Sequence, residues 1–303
     1  MFFAANSPCQ LVHSQLFPAC ELWIKRDDLL HPQVSGNKFR KLKYPLQALA
    51  GQDVHVVSMG GIWSNHLHAL AHALAGSSHA GTALVRGAAG MHSAMLDDCR
   101  ALGLQLRWLS RTDYRELRED PQAWRRHLPA ADAHYVWLPE GGSAAAALHG
   151  VAEMIDELPF LPDAIFVACG TGATLAGLLA GLRGRSQVFG VAALPNAGYL
   201  RAEIAGLLAA AGYPDYQNYQ LLTDYHHGAY ARVNAELLDF CARFHADTGI
   251  LLEPVYTGKM LFALRQLWLA DAFPASAKIM AIHTGGLQGL RGIAALSGTA
   301  AGG

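Results

Sequence analysis

Short apolar runs alternate with longer stretches of helical period along the chain. "LWIK" (22–25), "VHVVSM" (54–59), "TALVRG" (82–87), "LQLRWL" (104–109) and "HYVWL" (134–138) read as strands. So do "AIFVAC" (164–169), "VFGVAAL" (188–194), "ILLEP" (250–254) and "KIMAIH" (278–283). Helix-length stretches rich in Ala, Leu and His lie between most of them, and the Ala run 144–147 reads as helix. Strands buried on both faces are continuously apolar. The alternation therefore predicts an α/β protein with mainly parallel sheets covered by helices. Four of the runs fall between 54 and 138, and more follow 164. Two sheets, hence two α/β domains, fit this better than one barrel, although spacing alone leaves a barrel open.

The stretch 164–182, "AIFVACGTGATLAGLLAGL", carries no charge over a length that raises the question of a membrane span. Its glycines and threonines argue instead for a buried strand, a tight turn and a helix start. The 303 residues suffice for two domains or one large α/β unit. A hydrophobic content of 52% with 16% charged residues supports a packed globule and argues against disorder. The net charge of -1 supplies no global field for nucleic acid or an anionic membrane, so neither is expected as a partner. No Lys or Arg precedes Lys25, so no signal-peptide basic region is expected. Cys9, Cys20, Cys99, Cys169 and Cys241 are scattered and lack CxxC spacing. They are expected to be reduced thiols of a cytoplasmic protein, not a disulfide frame or a zinc site.

In parallel sheets ligands gather at the C-terminal strand ends, near helix N-termini. Four loops after strands are rich in glycine or polar residues: "GGIWSNH" (60–66), "EGGS" (140–143), "GTGAT" (170–174) and "HTGG" (283–286). "GTGAT" opens a helix. Its glycines let N–H groups converge, the helix dipole favours an anion, and Thr171 and Thr174 add hydroxyls. A phosphate cradle is the functional reading, and a tight turn the plain one. A dinucleotide fingerprint is not met. Leu175 stands at the third glycine, and "VFGVAAL" ends without Asp or Glu. A monophosphate ligand is expected.

Ser64 and Asn65 read as an N-cap pair, either a plain cap or one whose free N–H groups face a ligand. His68 and His72 share a helix face, but no carboxylate nearby completes a metal triad, so no metal is expected. Tyr256 and Thr257 lie on a turn, where the phenol is either a buried ring or an acid, base or clamp. Thr284 stands at a strand end, as a turn residue or pointing into the same cleft. "SGNKFRKLKY" (35–44) places Lys38 just after Gly36 and Asn37, with Lys41 one turn later. A lysine so held, together with a phosphate cradle, suggests pyridoxal phosphate.

The landmarks "SGNKFRKL", "GGIWSNH", "GTGATLAG", "EPVYTGK" and "HTGG" occur in register with a known family. The chain resembles the 1-aminocyclopropane-1-carboxylate deaminase and D-cysteine desulfhydrase family, pyridoxal-phosphate enzymes with the tryptophan-synthase-β-like fold. The resemblance implies that Lys38 is the Schiff-base lysine. It implies that Lys41, Gly172, Ala173 and Thr174 hold the phosphate, that Asn65 meets the ring oxygen, and that Thr284 meets the pyridine nitrogen. Ser64, Asn65 and His66 would receive the substrate, and Ser64 would also serve the chemistry. Tyr256 and Tyr230 match the two active-site tyrosines, Tyr230 on spacing alone. Trp63 stands where the family usually has glutamine, and Ser35 where it has glycine.

The family fold implies a larger cofactor domain from residues 1–41 and 148–303, a smaller inserted domain at 42–147, and a homodimer. The implied reaction is elimination from D-cysteine or a related small amino acid, giving pyruvate, sulfide and ammonia. Deaminases of the family tend to carry Glu and Leu where this chain has Thr257 and Thr284. Desulfhydrases tend to carry small hydroxyl residues at both, so Thr257 is expected near the substrate. Cyclopropane ring opening is the alternative within the family. A non-catalytic phosphate-ligand or nucleotide-binding protein is the alternative outside it.

Overall fold

The computed structural model describes residues 5–120, 122–129, 134–228 and 232–293. The chain begins with β1 (Cys9–Val12), β2 (Glu21–Lys25) and α1 (Asn37–Gln47). Then come β3 (His55–Gly61), α2 (Asn65–Ala75), β4 (Ala80–Arg86), α3 (Ala94–Ala101), β5 (Gln105–Leu109), α4 (Arg111–Glu119) and β6 (Tyr135–Leu138). Next are α5 (Ala145–Asp156), β7 (Ala164–Cys169), α6 (Ala173–Leu182), β8 (Gln187–Ala192) and α7 (Leu200–Ala210). The last elements are β9 (Tyr219–Leu222), α8 (Ala235–Thr248), α9 (Lys259–Leu269) and β10 (Lys278–Ile282).

These strands form two sheets and no barrel. One has the order β1-β2-β10-β7-β8-β9, parallel except for β1, which runs antiparallel to β2. The other, β5-β4-β3-β6, is wholly parallel and drawn from the segment between β2 and β7. Side chains alternate across each strand, so each sheet buries two faces. Ile165, Val167 and Cys169 meet α5, α6 and α7, while Phe166 and Ala168 meet α8 and α9. In the smaller sheet Ala83 and Val85 face α2 and α3, whereas Leu84, Val57 and Met59 face α4 and Trp124.

Eight of the nine expected strands are present. "ILLEP" is not one: its Ile250 and Leu252 are buried without sheet pairing, and an apolar run reports burial rather than partners. The edge strands β1 and β9, four residues each, are too short to show a period. The uncharged stretch 164–182 is β7, a turn and α6. Among the described residues no helix is long and apolar enough to cross a membrane.

Helix α5 packs closely between α1 and α6 because Gly150 and Gly177 carry no Cβ. A Cβ on Gly150 would overlap Arg40 O, and one on Gly177 would overlap Val151. At the same junction the Arg40 guanidinium grips buried Asp27 through both carboxylate oxygens, at 2.6 and 2.7 Å. It also reaches Glu157 at 2.8 and 2.7 Å, and Lys25 Nζ meets Glu157 at 2.6 Å. Buried charges persist only when paired, so this network fixes β2, α1 and the end of α5 against one another. It sets the position from which Lys38 and Lys41 project.

Candidate active site

The four glycine-rich loops meet. Gly36 caps α1 with φ 60°, a left-handed value that favours glycine. A Cβ there would overlap Thr284 O, and Asn37 N donates to that oxygen at 3.2 Å. Asn37 Nδ2 donates to Thr174 Oγ1 at 2.9 Å, joining the first turns of α1 and α6. Ser143 Oγ donates to Thr171 Oγ1 at 2.5 Å, which joins the loop after β6 to the loop after β7. Asn65 Oδ1 accepts from Gln288 Nε2, and the Asn65 amide nitrogen lies against Gly286. The ring of Tyr256 stands over Gly170, with Cε1 3.3 Å from where a Cβ would be.

Lys38 and Lys41 project from the first turns of α1 into this junction. Burial lowers the Lys38 pKa to about 8, partly offset by a hydrogen bond with Lys41 and the charge of Glu140. Glu140 is held by the Tyr114 hydroxyl at 2.5 Å and by Arg118 Nε at 2.7 Å. Lys41 is fully buried, and burial together with the neighbouring Lys38 holds its amine well below the usual lysine range. The charge of Lys38 disfavours that of Lys41, and a bound anion would relieve it.

Beside them, α6 starts at left-handed Gly172 (φ 81°) with Ala173 and Thr174 buried. The first-turn N–H groups of a helix have no partner within it, which suits an anion. Thr174 Oγ1 accepts from Asn37, so its own proton is available to a ligand. Ser64 caps α2 by accepting from Leu67 N at 3.2 Å, leaving the N–H groups of Asn65 and His66 at the open helix end. The His66 ring turns back to Ser58 Oγ, 2.8 Å from Nε2, and its buried Nδ1 has no partner.

One expectation changes, one narrows from side chain to backbone, and one falls outside the described residues. Thr257 is fully buried; its hydroxyl donates to Glu253 O at 2.9 Å and accepts from Glu253 N at 3.0 Å. It closes its own turn, so the expected contact with substrate is corrected. The His66 imidazole faces the protein interior rather than the open end of α2. Tyr230 lies outside the described residues. His68 pairs with Asp98 at 3.2 Å and meets the His72 ring edge to face, and Asp98 also takes Arg291 at 2.6 Å.

Sequence reasoning missed Glu253, Ser58 and Gln288. The Glu253 carboxylate accepts from Val255 N and Tyr256 N at 2.8 and 2.9 Å, capping the π-turn Pro254–Gly258 that presents Tyr256. Burial pushes its pKa up to about 7. A Glu just before Pro was the available signal, since an acidic side chain there can cap the next turn. For Ser58 the signal was a lone hydroxyl inside an apolar strand run.

The family model described as "Pyridoxal-phosphate dependent enzyme" matches residues 4–285. The chain belongs to the pyridoxal-phosphate dependent enzyme family. A bifunctional D-cysteine desulfhydrase/1-aminocyclopropane-1-carboxylate deaminase of Arabidopsis thaliana is 31% identical over 89% of this chain and 73% of its own. A D-cysteine desulfhydrase of Salmonella paratyphi A is 29% identical over 90% of this chain and 89% of its own. A solved structure described as an ACC deaminase homologue superposes with TM-score 0.86 at 27% identity, over 98% and 95% of the two chains. Threonine deaminase isoform 2 of Solanum lycopersicum shares the fold, with TM-score 0.66 at 16% identity over 98% of this chain and 84% of its own.

This pyridoxal-phosphate enzyme has the tryptophan-synthase-β-like fold, and the non-catalytic reading falls away. Its residues fit the cofactor. A depressed lysine amine suits the aldehyde, and a second buried amine beside a helix N-terminus suits the phosphate.

Proposed function

We propose that this enzyme eliminates a β-substituent from D-cysteine or a related small amino acid, forming pyruvate, ammonia and sulfide with uptake of one water. The observation that carries the reading is the junction where α1 and α6 begin: Asn37 Nδ2 donates to Thr174 Oγ1, and Lys38 and buried Lys41 project beside it. The desulfhydrase names of the similar chains support the substrate.

In this reading Lys38 holds the cofactor aldehyde, and Lys41, Gly172, Ala173 and Thr174 hold the phosphate. Asn65 donates to the ring oxygen, with its amide oriented by Gln288. Thr284 meets the ring nitrogen. When bound, pyridoxal phosphate supplies an aldehyde for the substrate amine and a conjugated ring that takes up negative charge from Cα. Near neutral pH Lys38 can hold or release a proton, so it suits proton removal at Cα. Ser64 and the N–H groups of Asn65 and His66 orient the substrate carboxylate at the α2 N-terminus. Tyr256 stands over Gly170 as a second proton-handling group or clamp. A neutral threonine at the ring nitrogen gives a shallower electron sink than a carboxylate would, which suits a good leaving group such as thiolate.

The second reading is cyclopropane ring opening, favoured by the bifunctional relative. The two sheets fit a smaller domain at 42–147 against a larger one from 1–41 and 148–303; on the family resemblance we also propose a homodimer, and on the scattered cysteines a cytoplasmic setting. The purified enzyme is to be assayed with D-cysteine, L-cysteine and 1-aminocyclopropane-1-carboxylate. Sulfide and pyruvate from D-cysteine are expected. 2-Oxobutyrate from the cyclopropane, without sulfide from either cysteine, would establish the second reading in place of the first.

A further inference from the structure

Two hydrogen bonds decide what His66 can do. Ser58 Oγ donates to Leu138 O at 2.7 Å, and the same oxygen lies 2.8 Å from His66 Nε2. A hydroxyl has one proton. With that proton on Leu138 O, Ser58 can only accept from the ring, so Nε2 carries the hydrogen. Burial, Lys38 and Lys41 hold the ring's pKa well below the usual histidine value, so the imidazole is neutral. Nδ1 is then a bare lone pair. It is buried without a partner, on a side chain 2% exposed.

A bare lone pair repels a carboxylate and needs a donor. The opposite tautomer would take the Ser58 proton away from Leu138 O. This tautomer leaves the ring unsuited to the substrate carboxylate that His66 is expected to receive; its backbone N–H keeps that capacity. The donor that fits is at hand. A Cβ on Gly142 would stand 3.3 Å from His66 Nδ1 and 3.7 Å from Lys41 Cβ, so both side chains flank the same glycine.

We propose that His66 Nδ1 accepts a hydrogen bond from the Lys41 ammonium when phosphate is bound at the α6 N-terminus, making His66 a positioning residue for Lys41. This rests on the reading of Lys41 as the phosphate lysine. The charged and titratable groups around Lys41 are Lys38 on α1, His66 on α2 and Cys169 at the end of β7, with Glu140 facing Lys38. A neutral acceptor suits this place. It stabilises the ammonium without competing with the phosphate for its charge, as a carboxylate would.

The test has two arms. Long-range proton–nitrogen correlation on histidine-labelled holoenzyme at pH 7.5 is expected to show His66 protonated at Nε2 alone. A proton on Nδ1 would overturn the proposal. In the second arm, dissociation constants are measured for pyridoxal phosphate and for pyridoxal, which lacks the phosphate. His66→Leu should weaken pyridoxal phosphate roughly ten-fold and leave pyridoxal nearly unchanged. His66→Gln, whose amide oxygen can accept, should recover most of the loss. Equal weakening of both ligands would mark a merely structural role and sink the idea. Lys41→Ala separates the two levels of inference. If it too leaves the preference for the phosphorylated ligand intact, the phosphate reading of Lys41 fails. If it abolishes the preference while His66→Leu does not, only the role of His66 fails. Should His66→Leu not fold, the tautomer measurement decides.

Discussion

The amide nitrogen of Asn37 donates to the hydroxyl of Thr174 at 2.9 Å, tying the turn that bears Lys38 to the proposed phosphate cradle. A side-chain hydrogen bond of this kind contributes about 1 kcal/mol. Asn37→Ala should therefore weaken retention of pyridoxal phosphate roughly five-fold, with Lys38 still able to form the adduct. Fluorescence titration of the cofactor measures this. Unchanged retention would show that the tie does not set the cradle.

Borohydride reduction of the holoenzyme followed by peptide mass mapping should place the pyridoxyl group on Lys38. Lys259 is the informative rival, because burial lowers its amine to about 8 as well. It differs in its neighbours: Lys259 faces the Glu253 carboxylate, whereas Lys38 lies beside Lys41 and the α6 turn. An adduct on Lys259 would move the reactive centre to the other end of the π-turn.

Two glycine substitutions should go in opposite directions. Gly36→Ala combines a left-handed backbone with overlap onto Thr284 O, so it should cost about 1–3 kcal/mol and displace Lys38. Gly206→Ala lies in α7, where a Cβ would meet nothing within 4 Å. It should gain about 0.5–1 kcal/mol from helix propensity. Urea denaturation of both variants checks the contrast, and equal midpoints would refute it.

Glu253 should make stability fall as pH rises through the weakly acidic range. Its folded pKa, about 7, lies above the ordinary 4.5 because of burial. Between those values the native state binds more protons than the unfolded state. Stability from this group is thus fully present below about 4.5 and lost as pH rises through 7, by roughly 3 kcal/mol at most. Glu253→Gln should flatten the profile between pH 5 and 7, read from urea midpoints. An unaltered slope would remove Glu253 as its source. The lysines act in a separate window, between about 8 and 10.5, and with the opposite sign: there the unfolded state binds more protons and stability rises.

Thr257→Glu should destabilise the protein before it alters substrate choice. The site is fully buried and its hydroxyl is held by the backbone N–H and C=O of Glu253, so a carboxylate there would be desolvated and would lose that closed turn. A loss of about 2 kcal/mol or more is expected from thermal or urea unfolding. A stable variant with new activity toward the cyclopropane substrate would instead restore Thr257 as a residue that selects the reaction.

The sequence by itself determined the parallel sheets and the post-strand loops, and it singled out Lys38 as the proposed reactive amine. These rest on local rules that read along the chain: strands buried on both faces are continuously apolar, and a glycine-rich turn opens a helix N-terminus. Tertiary structure alone decided which groups face which. Gly36 is required because Thr284, 248 residues away in sequence, places its carbonyl there. Thr257 turned out to close its own turn, and "ILLEP" to be buried without pairing, because burial is legible from composition but hydrogen-bond partners are not. The His66 lone pair is further still from local reading. Its tautomer follows from one proton on Ser58 directed to Leu138 O, a relation among three segments that only packing brings together.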